Sequence, residues 1–110
     1  MTGDNAVVLL TRIKVIATRE DDYAVRPSRN AQRDMDNLGY DLVDVCDCLC
    51  DLEIGDVRKV EPADWGDGEV VVCITRFSCG AGQTDELYVK VCVGADSLEV
   101  LSFKLNGSPR

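Results

Sequence analysis

The sequence has no histidine among its 110 residues, and aromatic residues make up only 5% of it. Acid–base chemistry near neutral pH must therefore use lysine, tyrosine, arginine, cysteine or carboxylate side chains. No run of about 18 apolar residues is present, so we expect no membrane-spanning helix. The apolar share of 45% is typical of a folded globule and disfavours intrinsic disorder.

The chain also lacks any basic tail or basic half. Its formal net charge is −8, from 20 acidic and 12 basic residues. Residues 1–55 hold 11 acids and 6 bases, and residues 56–110 hold 9 and 6, which gives −5 and −3. Phosphate is repelled by such a field, so nonspecific nucleic-acid binding by the whole surface is disfavoured. A local basic patch is still compatible with these numbers.

Six cysteines are present, and three of them fall in the run CDCLC. On a regular helix Cys46 and Cys50 share a face and Cys48 lies about 160° away, so three sulfurs do not converge on one metal ion. No C-x-x-C spacing and no histidine accompany them. We predict buried thiols, no metal and a cytoplasmic protein, with redox sensitivity or adventitious metal binding as alternatives. Cys79 is the thiol expected to be most exposed.

Helical patterns occupy the first half of the chain. Residues 6–17 carry one apolar stripe, for which Asp4 or Asn5 is the predicted N-cap. A second helix is predicted from Ser28 as cap to about residue 38, with Gly39 as its stop. A third, over residues 41–52, is capped by Asp41 and places its acids opposite an apolar stripe.

Extended patterns dominate the second half, at residues 57–60, 69–78, 87–93 and 98–105, with a short extended piece at 23–26. Helices first and antiparallel strands last predict an α+β fold, in which the helices pack on one face of the sheet. The length suits a single domain over residues 1–110. Strand 69–78 is expected between 57–61 and 85–93, or at least beside the latter.

The last hairpin carries an unusual polar face. In residues 87–93 a period of two places Tyr88 and Lys90 opposite the apolar residues. In residues 98–105 the same period of two places Leu101 with the apolar residues and Lys104 on the polar side. A tyrosine and two lysines are therefore predicted to share one open sheet face. On spacing alone, ordinary solvated strand lysines are the alternative explanation.

These residues support a family resemblance. The segment NAQRDMDNLGYDLVDVCDCLCDLEIGDVRKV, followed by LYVKVCV and LSFK, resembles the MqsR family of bacterial toxin–antitoxin ribonucleases, which have the RelE-like fold. The resemblance covers roughly residues 6–105. Its most specific parts are residues 38–39, 56–59, 88–90 and 102–104.

The resemblance implies a toxin that cleaves messenger RNA without metal or cofactor and is neutralised by a cognate antitoxin protein. It implies Lys59, Tyr88 and Lys104 as catalytic residues. Metal-free cleavage requires an activated 2′-hydroxyl, a stabilised phosphorane and a protonated 5′-oxygen. A lysine can transfer protons or hold phosphate, and a tyrosine can hydrogen-bond phosphate or stack on a base.

Three further cations are predicted RNA contacts. Arg76 and Lys90 belong near the same sheet region, and Arg26 can form the rim of an RNA groove. A surface cluster at the start of a helix is the alternative explanation for Arg26. Trp65 either stacks on a base or anchors its acidic loop to the core, and its acidic neighbours favour the anchor.

Two alternatives from other functional classes stay open. One is a noncatalytic binding protein that kept the fold. The resembled family has a glutamine in the strand before the tyrosine, whereas residues 72–75 contain none, and this lack together with the acidic charge would explain a loss of catalysis. The other is an acidic inhibitor that mimics nucleic acid. Lysines and tyrosine clustered on one sheet face favour the ribonuclease, whereas carboxylates spread over every surface favour the mimic.

Overall fold

A computed structural model describes residues 2–19, 24–62, 68–78 and 84–107, with side chains described from Ala6 onward. The predictions for Trp65 and Cys79 lie outside these residues. The elements, in chain order, are α1 (Thr2–Ala17), β1 (Val25–Pro27), α2 (Arg29–Leu38), α3 (Leu42–Cys50), a 3-10 turn (Ile54–Asp56), β2 (Val57–Pro62), β3 (Glu69–Ser78), β4 (Thr84–Val93) and β5 (Leu98–Leu105).

The five strands form one sheet in the order β1-β5-β4-β3-β2. Strands β2 to β5 follow one another as an antiparallel meander, and β1 adds to β5 in parallel. β3 lies between β2 and β4, as predicted. The fold is therefore α+β, with the helices in the N-terminal half and the mainly antiparallel sheet in the C-terminal half.

Local sequence signals define α2 and α3. The Ser28 side chain accepts a hydrogen bond from the Ala31 amide, and Gly39 ends α2 in the left-handed conformation at φ 81°. Asp41 caps α3 in a reciprocal capping box with Asp44. Such caps satisfy amide groups that a helix leaves unpaired, so the sequence dictates where both helices begin.

The core lies between the helices and one face of the sheet. α1 presents Leu9, Leu10, Ile13 and Ile16 to it, and β4 contributes alternate residues from Leu87 to Val93. Tyr40 sits inside this core, where it packs edge-on against Phe103 and donates a hydrogen bond to the buried Asp85 carboxylate. Burying alternate β4 residues turns the intervening ones, including Tyr88 and Lys90, to the opposite face of the sheet.

The structure differs from the sequence predictions at several element ends. α1 begins at Thr2, before the predicted caps, and α3 ends at Cys50 instead of residue 52. β4 begins at Thr84, three residues before the 87–93 pattern and one residue before the 85–93 span predicted for the strand order. These ends carry polar or acidic residues, for which period and propensity give a weak signal.

The predicted position of Leu101 on the apolar face is wrong. Lys90 pairs with Ser102 and Val91 pairs with Val100, so a bulge at Leu101 shifts the register of β5. Val100 is fully buried, whereas Leu101 is half-buried on the other side. An extra residue in one strand changes the alternation of faces, and a period of two cannot reveal it.

Within the described residues, no helix is long and apolar enough to cross a membrane.

A candidate active face on the open side of the sheet

The candidate residues lie on the sheet face opposite the core, here called the open face, in rows that run across the strands. One row aligns Lys59, Val72, Lys90 and Ser102 on β2, β3, β4 and β5. The next row aligns Ile74, Tyr88 and Lys104. The strand register thus places all three predicted catalytic residues on one face.

Tyr88 and Lys104 form the closest pair of the set. They are register partners on β4 and β5, and the Lys104 Nζ lies 5.5 Å from the centroid of the Tyr88 ring. A lysine ammonium at this distance is attracted to the negative face of the ring. Lys104 is exposed and Tyr88 is half-buried, so both can reach a ligand on the open face.

Lys59 and Lys90 form a second pair through Glu61. The Glu61 carboxylate lies 3.4 Å from the Lys59 Nζ and 3.8 Å from the Lys90 Nζ. The Lys59 side chain is 60% exposed and the Lys90 side chain 34%. Solvent screens such pairs, so each contributes little to stability. The carboxylate nevertheless offsets part of the positive charge that two adjacent lysines would offer to a phosphate.

Lys90 connects the two pairs, because it follows Tyr88 by two residues on β4. Two residues of one strand span about 6.8 Å. Lys59 and Lys104 are three strands and one row apart, so their backbones are separated by about 16 Å. The structure therefore brings Tyr88, Lys90 and Lys104 together and places Lys59 at the far side of Lys90.

Arg76 and Arg26 lie at opposite corners of the open face. Arg76 is exposed, and its register partner on β4 is Glu86, one row beyond Tyr88. Arg26 is exposed on β1, and its register partner on β5 is Glu99. Each arginine thus lies across from a glutamate, which lowers the local positive potential at both corners.

A cleft of about 390 Å³ opens on the open face next to Lys90. Its floor includes Val70 and Leu101, and its rim includes Glu61, Glu99 and Ser102. The bulge that turns Leu101 outward therefore helps to shape this cleft. Of the six predicted site residues, Lys90 alone lines it.

Four cysteines, Cys46, Cys48, Cys50 and Cys73, lie on the core side, whereas Cys92 follows Lys90 by two residues on β4 and lies on the open face. Burial, with the nearby Asp51 and other anionic groups, raises the pKa of Cys48 to about 12. Burial, with Asp56, raises the pKa of Cys73 to about 12. Because the thiolate is the reactive form, both thiols are unreactive near neutral pH. Cys50 is half-buried, so the prediction of buried thiols is confirmed for Cys46 and Cys48 and is only partly correct for Cys50.

Metal ligands are not assembled in the described part of the chain. There, no group of three or more histidine, cysteine, aspartate or glutamate residues is positioned to hold a metal ion.

Glu61 belongs to the candidate site by its contacts with Lys59 and Lys90, and the sequence patterns did not predict it. It follows Lys59 by two residues, so the period of a strand would have placed both side chains on one face. Its contact with Lys90 was harder to predict, because it depends on pairing across β3.

Comparison with protein-family models and with curated proteins finds no match for this chain. The family resemblance therefore rests on the quoted motifs and on their placement in this fold.

Proposed function

We propose that the protein is a metal-independent endoribonuclease toxin of the MqsR type. The observation that carries the proposal is the Tyr88–Lys104 pair, 5.5 Å from ammonium to ring centroid, on an open sheet face that also holds Lys90 and Lys59. In a chain without histidine, these groups supply a charged donor, a phenolic hydroxyl and further phosphate contacts.

In the proposed reaction the 2′-hydroxyl of the RNA attacks the adjacent phosphorus. The P–O2′ bond forms, the P–O5′ bond breaks, and the products are a 2′,3′-cyclic phosphate and a 5′-hydroxyl. Lys104 stabilises the charge of the phosphorane, and Tyr88 donates a hydrogen bond to a phosphate oxygen. Lys59 takes the proton of the 2′-hydroxyl and passes a proton to the departing 5′-oxygen, for which its side chain must extend past Lys90 toward Lys104. Lys90, Arg76 and Arg26 hold neighbouring phosphates.

The proposal includes a cytoplasmic location, where messenger RNA is present, and a cognate antitoxin protein that restrains the enzyme. Expression of the protein alone is expected to slow bacterial growth, because messages are destroyed. Lys104→Ala should relieve the inhibition, since loss of one phosphate-stabilising contact typically slows a reaction about 10²-fold or more. Lys104 is exposed, so its truncation opens no core cavity.

Lys14→Ala, on α1, is the matched control and should be as inhibitory as the parent at equal soluble levels. Equal inhibition by Lys104→Ala and the parent would count against a catalytic role for Lys104. Co-expression of the protein encoded beside it should restore growth if that protein is the antitoxin.

A noncatalytic binding protein with this fold is the second candidate, and Glu61 is the observation that favours it. The Glu61 carboxylate contacts both Lys59 and Lys90, and the chain carries a net charge of −8. Under this alternative the open face would bind a protein instead of RNA. Absence of both growth inhibition and RNA cleavage would make this the better explanation.

A further inference from the structure

The helical side of the molecule exposes apolar surface that the fold does not use. All of the exposed large hydrophobic residues within the described part of the chain lie on α1, on α3 or in the 3-10 turn. They are Val7, Val8, Val15, Val43 and Ile54, each between 48% and 57% exposed. The two helices are neighbours, since the Cys50 Sγ lies 3.7 Å from the Thr18 Oγ1. Exposed apolar residues grouped in this way are typical of an interaction surface.

Apart from Asp4 near the start of α1, the charges of the two helical segments are segregated by sign. Residues 6–19 contain three bases, Arg12, Lys14 and Arg19, and no acid. Residues 41–53 contain five acids and no base. The basic segment and the acidic segment thus each carry exposed valines, and the exposed residues of α1 and α3 together are here called the helix patch.

The spacing on α1 aligns the two kinds of residue along its axis. Val8 and Val15 are seven residues apart on α1, and Arg12 lies between them. At about 100° per residue, Arg12 lies about 40° from the line of the two valines, and Arg19 follows two residues after the end of the helix. On α3 the exposed Val43 and Asp47 are four residues apart and occupy one face. Each helix thus presents valine beside charge of a single sign.

We propose that the helix patch binds a second copy of this chain in a twofold-symmetric dimer. A twofold axis would place the basic α1 of one copy on the acidic α3 of the other, and the reverse contact would form by symmetry. Packing of α1 on α1 would oppose arginine to arginine and is disfavoured. In such a dimer the basic α1 and the acidic α3 are complementary in charge, and both helices bring exposed valines to the contact. This proposal is independent of the ribonuclease activity.

The test uses two full-length variants and their mixture. R12E/R19E reverses two charges on α1 and just after it, and D47K/D51K reverses two charges on α3 and its C-cap, at positions that are all exposed. Sedimentation velocity over micromolar to submillimolar concentrations should show a concentration-dependent dimer for the parent and monomers for each variant alone. An equal mixture should restore the dimer, because the new glutamates of one variant then meet the new lysines of the other, while an unchanged α1 meets an unchanged α3 across the second contact. R29E/R33E on α2 is the matched control and should dimerise like the parent.

The mixture also controls for folding, because misfolded variants would not restore a dimer. V8S/V15S provides a second approach that leaves every charge unchanged, and it should weaken the dimer at least about tenfold. A parent that stays monomeric at every concentration overturns the proposal. So does a charge variant that dimerises by itself, or a mixture of variants with native circular dichroism that stays monomeric.

Discussion

Glu61 is the residue on which the charge of the open face depends most. Its carboxylate contacts two of the lysines that the proposed function assigns to RNA. The period of a strand predicts that Glu61 lies on the same face as Lys59. The position of Leu101 in the cleft beside Lys90 could not be predicted in this way. A bulge leaves no signal in the alternation of apolar and polar residues.

Glu61→Gln should strengthen RNA binding. The substitution removes a negative charge from the open face and frees the ammonium groups of Lys59 and Lys90. Exposed ion pairs of this kind are worth about 0.2–1 kcal/mol, so the affinity for RNA should rise by up to about fivefold. Fluorescence anisotropy with a 2′-deoxy analogue, which cannot be cleaved by 2′-hydroxyl attack, measures this. Asp47→Asn on α3 removes the same charge from the helical side. If both variants bind alike, the effect comes from net charge and not from the Glu61 contacts.

Cys48 and Cys73 should make the fold sensitive to alkali. Their pKa values are raised from 9.0 to about 12 in the folded protein. Between these values the unfolded chain loses the thiol protons and the folded one keeps them, so the free energy of unfolding falls as pH rises. Each thiol contributes up to about 1 kcal/mol per pH unit in this window.

Urea denaturation at about pH 8 and about pH 10 measures this loss. Cys48→Ala/Cys73→Ala removes both titrating groups, so its unfolding free energy should fall less between the two pH values. A decrease as large as that of the parent would mean that other groups control the alkaline transition.

At the scale of elements, the local chemistry of helix ends could be predicted and strand limits less well. Ser28, Gly39 and Asp41 were identified as caps because each satisfies or ends a helix within a few residues of sequence. The start of β4 is hard to predict because Asp85 and Glu86, which follow Thr84, have low strand propensity. Those residues are extended because they pair with β3, which is a contact distant in sequence.

Gly39→Ala should destabilise the fold by about 1–2 kcal/mol, because Gly39 ends α2 at φ 81°, where a Cβ is strained. No atom lies within 4 Å of a Cβ built at Gly39, so the cost would be conformational and not steric. Gly55→Ala is the matched control, since Gly55 has no such φ and equally open surroundings. Chemical denaturation measures both. Equal effects of the two substitutions would argue against a strained stop at Gly39.

At the scale of the whole molecule, the order of helices and strands predicted an α+β fold because each layer must bury one apolar face. The parallel pairing of β1 with β5 could not be predicted. β1 has only three residues, and its partner begins about 70 residues later in the chain. This pairing also positions Arg26, so the distance between Arg26 and the Tyr88–Lys104 pair could not be predicted from the sequence.

The acidic whole-molecule charge sets the conditions for the proposed activity. A net charge of −8 repels RNA at long range, whereas the lysines act at short range on the open face. Salt screens the long-range repulsion by the net charge more than the short-range attraction by the lysines. Moderate salt is therefore expected to weaken RNA association less than it does for a basic ribonuclease, which a salt titration of binding to the 2′-deoxy analogue checks.

The proposed metal-independent ribonuclease activity is tested by incubating the protein with a purified messenger RNA in the presence of a chelator. We expect fragments with 2′,3′-cyclic phosphate and 5′-hydroxyl ends, identified by mass spectrometry, and no cleavage where the 2′-hydroxyl is absent. Lys104→Ala should cleave about 10²-fold more slowly or worse, and Lys14→Ala should match the parent. No cleavage by the folded parent, or equal rates for the parent and Lys104→Ala, would rule out an endoribonuclease that depends on Lys104.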